Sequence, residues 1–510
     1  MQISLKDITY SYEDSPRQAL VAVTATFPSG WTGIVGNNGS GKTTLLRVMC
    51  GLLKASSGTI TPRVAGVYCA QETQLPPAMA DDFAQDFSPE ALRIRKELVI
   101  DQDWAWRYDL LSEGQRKRLQ VGVALWQNPP LLALDEPTNH VDAPTRKQLL
   151  DALTHFSGIG LLVSHDREML DVLVSQCLFL SPKNATMRLG TYTQGQSQVQ
   201  LESVTIKRER RSAKDELIRL TKTKIARDNE AARADSRRSK RHLDKHDKDA
   251  KGRIDLAIYT GQDGKAGRRS AQLDGRLEKA QQRLEAAYVD KAYSYNVWLD
   301  TQPSRRKTLV ELSEGSLAFG SGTSIAHGHQ PCCLQVPKLQ IGSCDHIALT
   351  GANGTGKTTL IRAFMRALDK TNLRVLFVPQ ELESEERRKL LAHIAGLPQA
   401  QRGRALGIVA QLNSDPRRIL DGATISPGEA RKLLLALGIL SSPQIIVMDE
   451  PTNHLDLAST EALERMLASC PCALLLVSHD SRFLAKTTDT RWHIEPSEDG
   501  SALCLATHAY

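Results

Sequence analysis

The chain repeats itself, and that repeat constrains its fold more than any other feature. GNNGSGKTT at 36–44 returns as GANGTGKTT at 351–359. LSEGQ at 111–115 returns as ISPGE at 425–429, LALDEPTNHVD at 132–142 as IVMDEPTNHLD at 446–456, and LLVSHD at 161–166 as LLVSHD at 475–480. The offset is 315 between Lys42 and Lys357 and 314 for the signature serines, the aspartates and the histidines. Four matches held within one residue mean two copies of one domain, each of about 200 residues. Within each copy short apolar runs alternate with longer helical stretches. TGIVG (32–36) and IALTG (347–351) read as strands entering glycine loops, and LLALD (131–135) and IIVMD (445–449) as buried strands. This alternation predicts an α/β fold with mostly parallel sheets flanked by helices.

Both glycine strings match the phosphate-loop pattern G-x-x-x-x-G-K-[ST]. Its glycines let backbone N–H groups wrap phosphates at a helix N-terminus. The expected cradles are Gly36, Asn37, Asn38, Gly39, Ser40, Gly41, Lys42, Thr43 and Thr44, and Gly351, Ala352, Asn353, Gly354, Thr355, Gly356, Lys357, Thr358 and Thr359. Lys42 and Lys357 would reach the β- and γ-phosphates of ATP, and Thr43 and Thr358 would hold Mg²⁺. Asp135 and Asp449 end apolar strands, where a carboxylate can hold Mg²⁺ through water. Glu136 and Glu450 follow and suit a general base for the attacking water; the plain alternative is a solvated charge at a strand end. His165 and His479 follow further apolar strands. Alone, each would be a structural histidine; paired by the repeat, they read as γ-phosphate sensors. Gln71 and Gln380 sit where a side-chain amide could meet both metal and water.

The order phosphate loop, Gln, [LI]-S-x-G-[QE], D-E-P-T-N-H-x-D, S-H-D resembles the ATP-binding cassette superfamily over about 400 residues. The resemblance implies two cassettes closing face to face around two ATP molecules. Lys42, Thr43, Asp135, Glu136 and His165 would then meet Ser426 and Gly428. Lys357, Thr358, Asp449, Glu450 and His479 would meet Ser112 and Gly114. In this superfamily an aromatic ahead of the phosphate loop often stacks on adenine. Tyr12 fits, with Tyr10 second, and either could instead be a strand residue packing on the sheet; the second copy offers no clear equivalent. The signatures depart from S-G-G, with Glu113 and Pro427 at the first glycine. Proline has no N–H to offer, so the two sites are expected to hydrolyse at unequal rates.

Twin cassettes in one chain, both reading D-E-P-T-N-H-[VL]-D, resemble the ABC-F family, whose characterised members act on ribosomes as translation factors or protect them from antibiotics. The N-H-x-D loop would couple the cassettes. Between the copies the composition changes. Residues 201–290 hold 24 Lys/Arg against 16 Asp/Glu, so this stretch exceeds the whole chain's net charge of +7. No proline lies between Pro182 and Pro303 and no glycine between Gly195 and Gly252, so a helix from about 200 to 248 is allowed. Glycines 252, 261, 264 and 267 then break the pattern, and Leu273, Leu277, Ala280 and Leu284 resume at coiled-coil spacing. We read a basic antiparallel helical hairpin, 196–305, with its tip near 249–268, between cassettes at 1–195 and 306–510. In the ABC-F family such a linker reaches toward the P-site transfer RNA. The candidate RNA-binding cations are Arg233, Arg237, Arg238, Lys240, Arg241, Lys245, Lys248, Lys251 and Arg253. With no aromatic residue from 193 to 258, phosphate contacts fit better than base stacking.

Other classes fit less well. No run of ~18 apolar residues reads as a membrane span, and the start lacks a signal-peptide pattern, so we expect a cytoplasmic, monomeric protein without DNA or membrane partners. The nine cysteines lack zinc-ligand spacing and a cysteine-rich start. Only 40 residues lie between Gln71 and Ser112, too few for a long extra arm, and 31 follow His479. The alternative is a soluble ATPase pair energising a membrane transport complex, which leaves the basic hairpin unexplained.

Overall fold

The computed structural model describes residues 1–13, 18–139, 141–182, 184–238, 262–286, 303–319, 332–421, 425–496 and 503–509. In the first cassette a six-stranded sheet has the order Gly66–Cys69, Leu131–Asp135, Ile159–Val163, Gly30–Val35, Val174–Ser181, Asn184–Leu189. Its first five strands are mutually parallel and the last pairs antiparallel. Leu131–Asp135 and Ile159–Val163 are buried at every residue, as parallel strands covered on both faces must be. Antiparallel Gln18–Pro28, Gln2–Ser11 and Ser57–Thr61 form a second sheet.

The second cassette repeats the parallel centre. His346–Gly351 lies between Ala473–Val477 and Thr490–Pro496, and Ile445–Asp449 and Val375–Val378 continue outward from Ala473–Val477. Leucine and isoleucine from these strands pack on helix Lys357–Leu368 through Leu360, Ile361 and Phe364. The four apolar runs read as strands are therefore strands, and each glycine loop follows a central one. The two cassettes together form one compact unit, and Leu457 of the second packs into a core cluster of the first.

Gln196–Ala292 form the other unit. The linker helices are Tyr192–Arg238 and Gln262–Ala286. Glu216 approaches Arg283 at 3.8 Å and Lys224 approaches Asp274 at 2.5 Å, so the helices run antiparallel. Ala213 and Leu220 are buried on the first helix; of the four residues at coiled-coil spacing on the second, Leu273 and Ala280 are buried and Leu277 and Leu284 half-buried. The second helix begins at Gln262, inside the span read as the tip, and Gly264 and Gly267 lie within it. Glycine lowers helix propensity by about 1 kcal/mol without a clash, so the packed stripe that follows can override it. Arg233, Arg237 and Arg238 belong to the first helix. Lys240, Arg241, Lys245, Lys248, Lys251 and Arg253 lie outside the described residues.

Candidate active site

Each phosphate loop turns from a central strand into a helix, Lys42–Met49 in the first cassette and Lys357–Leu368 in the second. Gly41 has φ 94°, and a Cβ there would stand 2.4 Å from the Ala19 carbonyl oxygen, so only glycine fits. Gly356 repeats the conformation at φ 90°. Lys42 Nζ donates to the carbonyls of Gly36 (2.8 Å) and Asn37 (3.2 Å), and Lys357 Nζ to those of Gly351 (2.8 Å) and Ala352 (2.9 Å). Both ammonium groups are thus held over their own loops. Burial lowers the pKa of each, and the carboxylates of Glu136 and Glu450 oppose that.

Glu136 and Glu450 stand just past the Asp-ending strands, at φ 49° and 48°. Their N–H groups donate to Val163 and Val477 at 2.8 Å, which locks this unusual turn. Both carboxyl groups are buried. Burial pushes Glu136 up to about 7 against the pull of Lys42, and raises Glu450 likewise against Lys357. His165 Nε2 lies 3.1 Å from Glu136 Oε1, and His479 Nε2 3.5 Å from Glu450 Oε1. Burial depresses both imidazoles, His479 to about 4, so they are neutral at pH 7. Asp135 Oδ2 accepts from the Tyr68 hydroxyl at 3.0 Å. Burial raises the pKa of Asp449, with Lys357, Arg431 and the Thr358 hydroxyl opposing.

A general base works only when ionised. With its pKa raised to about 7, Glu136 is mostly protonated at pH 6 and ionised at pH 8. With these two carboxyls as the bases, ATP turnover should rise with pH through the raised pKa values of Glu136 and Glu450 and level off only above both. A pH–rate profile from pH 5.5 to 9 tests this; a flat acid side would exclude carboxylate bases with raised pKa.

Two clefts gather these groups. One, of about 690 Å³, is lined by Lys42, Thr43, Gln71, Asp135, Glu136 and His165, facing Ser426, Pro427 and Gly428. The other, of about 760 Å³, is lined by Lys357, Thr358, Gln380, Asp449, Glu450 and His479, facing Ser112, Glu113 and Gly114. Each cleft thus combines the phosphate loop of one cassette with the signature of the other. Both signature serines cap a helix. Ser112 Oγ accepts from the Gln115 N–H, and the Gln115 side chain accepts from the Ser112 N–H; Ser426 and Glu429 repeat this capping box. Pro427 occupies the first helical position, where a missing N–H breaks no helix bond. Tyr12 lines the first cleft at 40 % exposure, its hydroxyl 3.0 Å from Thr44 Oγ1 and its ring edge-on to Tyr10. In the second cassette, residues 320–331 lie outside the described residues.

Asp142 and Asp456 join the cassettes. Asp456 caps helix Leu457–Ala468 and accepts the Asn38 N–H at 3.0 Å. Asp142 caps helix Ala143–Thr154 and accepts the Asn353 N–H at 3.3 Å. Each thereby anchors the phosphate loop of the opposite cassette.

Sequence reasoning missed two further features. Lys117 and Arg431 occupy matching positions in the two copies, and both are buried. Lys117 Nζ donates to the carbonyls of Ala70 (2.9 Å) and Gln71 (3.0 Å). Arg431 donates to the carbonyls of Gln380, Glu450 and Asn453. These cations hold the Gln71 and Gln380 segments by their main chains. A basic residue repeating inside an apolar helix was the available signal. The second feature is a buried ion pair between Arg167 and Glu464 of opposite cassettes, joined by Asp480 at 3.3 Å.

Fold and clefts together make two phosphate-loop domains, each completing the site of the other. The ABC transporter domain family matches residues 22–139 and 334–453. The ribosome protection protein VmlR of Bacillus subtilis is 28 % identical, covering 96 % of this chain and 86 % of that one. The erythromycin resistance ATP-binding protein MsrA of Staphylococcus epidermidis is also 28 % identical, covering 90 % and 91 %. The ATP-binding protein Uup of Caulobacter vibrioides is 27 % identical, covering 88 % and 70 %. Among solved structures, archaeal ribosome recycling factor aABCE1, in complex with ribosomal stalk protein aP1, superposes with a TM-score of 0.61 at 17 % identity, covering 99 % of this chain and 90 % of that one. That likeness is one of fold. The chain thus resembles the first two of these relatives over nearly its whole length. Among the described residues no helix is long and apolar enough to cross a membrane.

Proposed function

We propose that the chain is an ATPase that binds the ribosome and acts there in translation or in protection from antibiotics, with its linker directed at transfer and ribosomal RNA. The observation that carries the ATPase is the pair of clefts, each uniting a lysine-bearing phosphate loop with the Ser-x-Gly of the opposite cassette. Support for the ribosome comes from relatives named for ribosome protection and erythromycin resistance, which match nearly the whole chain.

Oxygen donors dominate where Mg²⁺ would sit. Thr43, Asp135 and the Gln71 amide line one cleft, and Thr358, Asp449 and Gln380 the other, a set that suits a hard cation. The ion would neutralise charge between the β- and γ-phosphates. Lys42 and Lys357 would swing from their loop carbonyls to the phosphates. Glu136 and Glu450 would take the proton of the attacking water, and the neutral His165 and His479 would donate to the γ-phosphate. ATP binding would draw the cassettes together and, through the linker, present its cations to RNA.

Sedimentation with purified ribosomes tests this reading. The Glu136→Gln/Glu450→Gln protein should pellet with ribosomes only when ATP is present. A fourfold rise in salt should weaken that binding by at least tenfold, as phosphate contacts require. Retention in the supernatant despite ATP binding would overturn the ribosomal role and favour the transport-motor alternative.

A further inference from the structure

We infer that Tyr68 is a positioning residue that fixes Asp135 for the divalent cation and gives the Glu136 cleft a tighter metal site than the Glu450 cleft, an inference that rests on the ATPase reading proposed above. The Tyr68 hydroxyl donates to Asp135 Oδ2 at 3.0 Å. Strand Gly66–Cys69 runs parallel to Leu131–Asp135 with Tyr68 opposite Ala133, so the phenol reaches a carboxylate two residues farther along. Asp135 is buried and lines the cleft, whereas Tyr68 stands behind it, outside the lining. Arg47, on the helix that leaves the phosphate loop, places its Cζ 5.7 Å from the Tyr68 ring centroid. A cation thus backs the phenol and strengthens its hydroxyl as a donor. With Oδ2 engaged in this way, the carboxylate is held in one orientation and Oδ1 is left for the ion or its water.

The second cassette keeps the frame and loses the donor. Val375–Val378 pairs with Ile445–Asp449 in the same register, and Phe377 stands opposite Val447 as Tyr68 stands opposite Ala133. Asp449 lies two residues beyond Val447, as Asp135 lies two beyond Ala133, but phenylalanine has no hydroxyl to offer. Arg362 repeats Arg47 at the offset of 315 residues, so the cation is retained. Asp449 is met instead by the Thr358 hydroxyl and by the charges of Lys357, Arg431 and Arg362. Thr358 is one of the oxygens offered to the ion, so its bond to Asp449 comes from within the metal site. The Tyr68 bond comes from outside it.

A carboxylate already held by an outside donor loses less freedom when the ion arrives, so more of the interaction appears as affinity. Removing such an outer partner typically costs about 10–100-fold in metal affinity. Tyr68 therefore works in the opposite sense to Pro427. Proline takes a phosphate donor away from the Glu136 cleft, and the tyrosine gives that same cleft a metal anchor. The two clefts thus differ in what limits each: phosphate donors where Glu136 acts, and the metal where Glu450 acts.

Mn²⁺ binding to the ATP-bound Glu136→Gln/Glu450→Gln protein, followed by electron paramagnetic resonance, tests the inference without turnover. The parent should take up two ions of unequal affinity. Tyr68→Phe should weaken the tighter ion about tenfold. Phe377→Tyr should strengthen the weaker one, and metal-free ATP binding should stay unchanged in both variants. Because Phe377→Tyr adds the hydrogen bond rather than removing one, a gain there does not follow from a merely structural role. Two ions of equal affinity in the parent, or unchanged affinities in Tyr68→Phe, would overturn this inference alone. If the ATP-bound parent takes up no Mn²⁺, the magnesium-dependent reading fails and the inference falls with it.

Discussion

Replacing both Glu136 and Glu450 by Gln should lower ATP turnover by about 10²–10³-fold while ATP binding persists. Glutamine preserves shape and can still accept from the His165 and His479 N–H groups, which lie 3.1 Å and 3.4 Å from the carboxylate oxygens. It also removes a buried group whose ionisation is disfavoured, so folding should not suffer. What it cannot do is take a proton from water. Steady-state phosphate release and nucleotide binding, measured on one preparation, separate the two effects. A loss below about tenfold would mean that these carboxyls are not the bases.

The single variants should differ. Pro427 faces the cleft that holds Glu136, and Glu113 faces the cleft that holds Glu450. At the first helical position an N–H is free to meet a phosphate oxygen, and Pro427 has none. The Glu136 cleft therefore lacks a donor that the Glu450 cleft keeps. Glu450→Gln should cost more turnover than Glu136→Gln, because it leaves only the cleft with fewer donors. Equal residual rates would exclude this asymmetry.

The parts visible in the sequence were those built from local backbone. Phosphate loops, Asp-ending strands and S-H-D turns each need particular residues at short spacing, and the repeat at an offset of 314 or 315 residues doubled every signal. The pairing of Lys42 with Ser426 was also within reach, because face-to-face closure follows from the resemblance. The double task of Asp142 and Asp456 was legible only as a coupling loop, since a helix cap does not announce a second acceptor bond. Lys117 and Arg431 escaped notice because a buried cation reads in sequence as a surface one until its carbonyl partners are known. The linker glycines misled for the opposite reason. A weak local preference at 264 and 267 yielded to packing farther along the helix.

Arg167 and Glu464 were illegible altogether, because the repeat predicts symmetric features and this one is not. The matching positions hold Ser481 and Leu150, so the ion pair occurs on one side of the interface only. Both side chains are buried, at 6 % and 4 % exposure, and Arg167 also reaches Asp480, beside His479. The pair thus ties the segment after His165 to the segment after His479. Lys486 reaches Glu464 at 2.9 Å, but its own side chain is largely exposed and adds little. Removing one member of a buried pair typically costs about 3–5 kcal/mol, and without Glu464 the buried Arg167 keeps only Asp480 at 3.3 Å. Glu464→Leu should therefore lower the melting temperature. In the Glu136→Gln/Glu450→Gln background it should also raise the ATP concentration for half-maximal closure by about 10²-fold, the equivalent of about 3 kcal/mol. Arg167→Met/Glu464→Leu removes both charges at similar volume and should restore most of the stability and closure. That recovery distinguishes a charge latch from simple packing, because two packing defects would add rather than cancel.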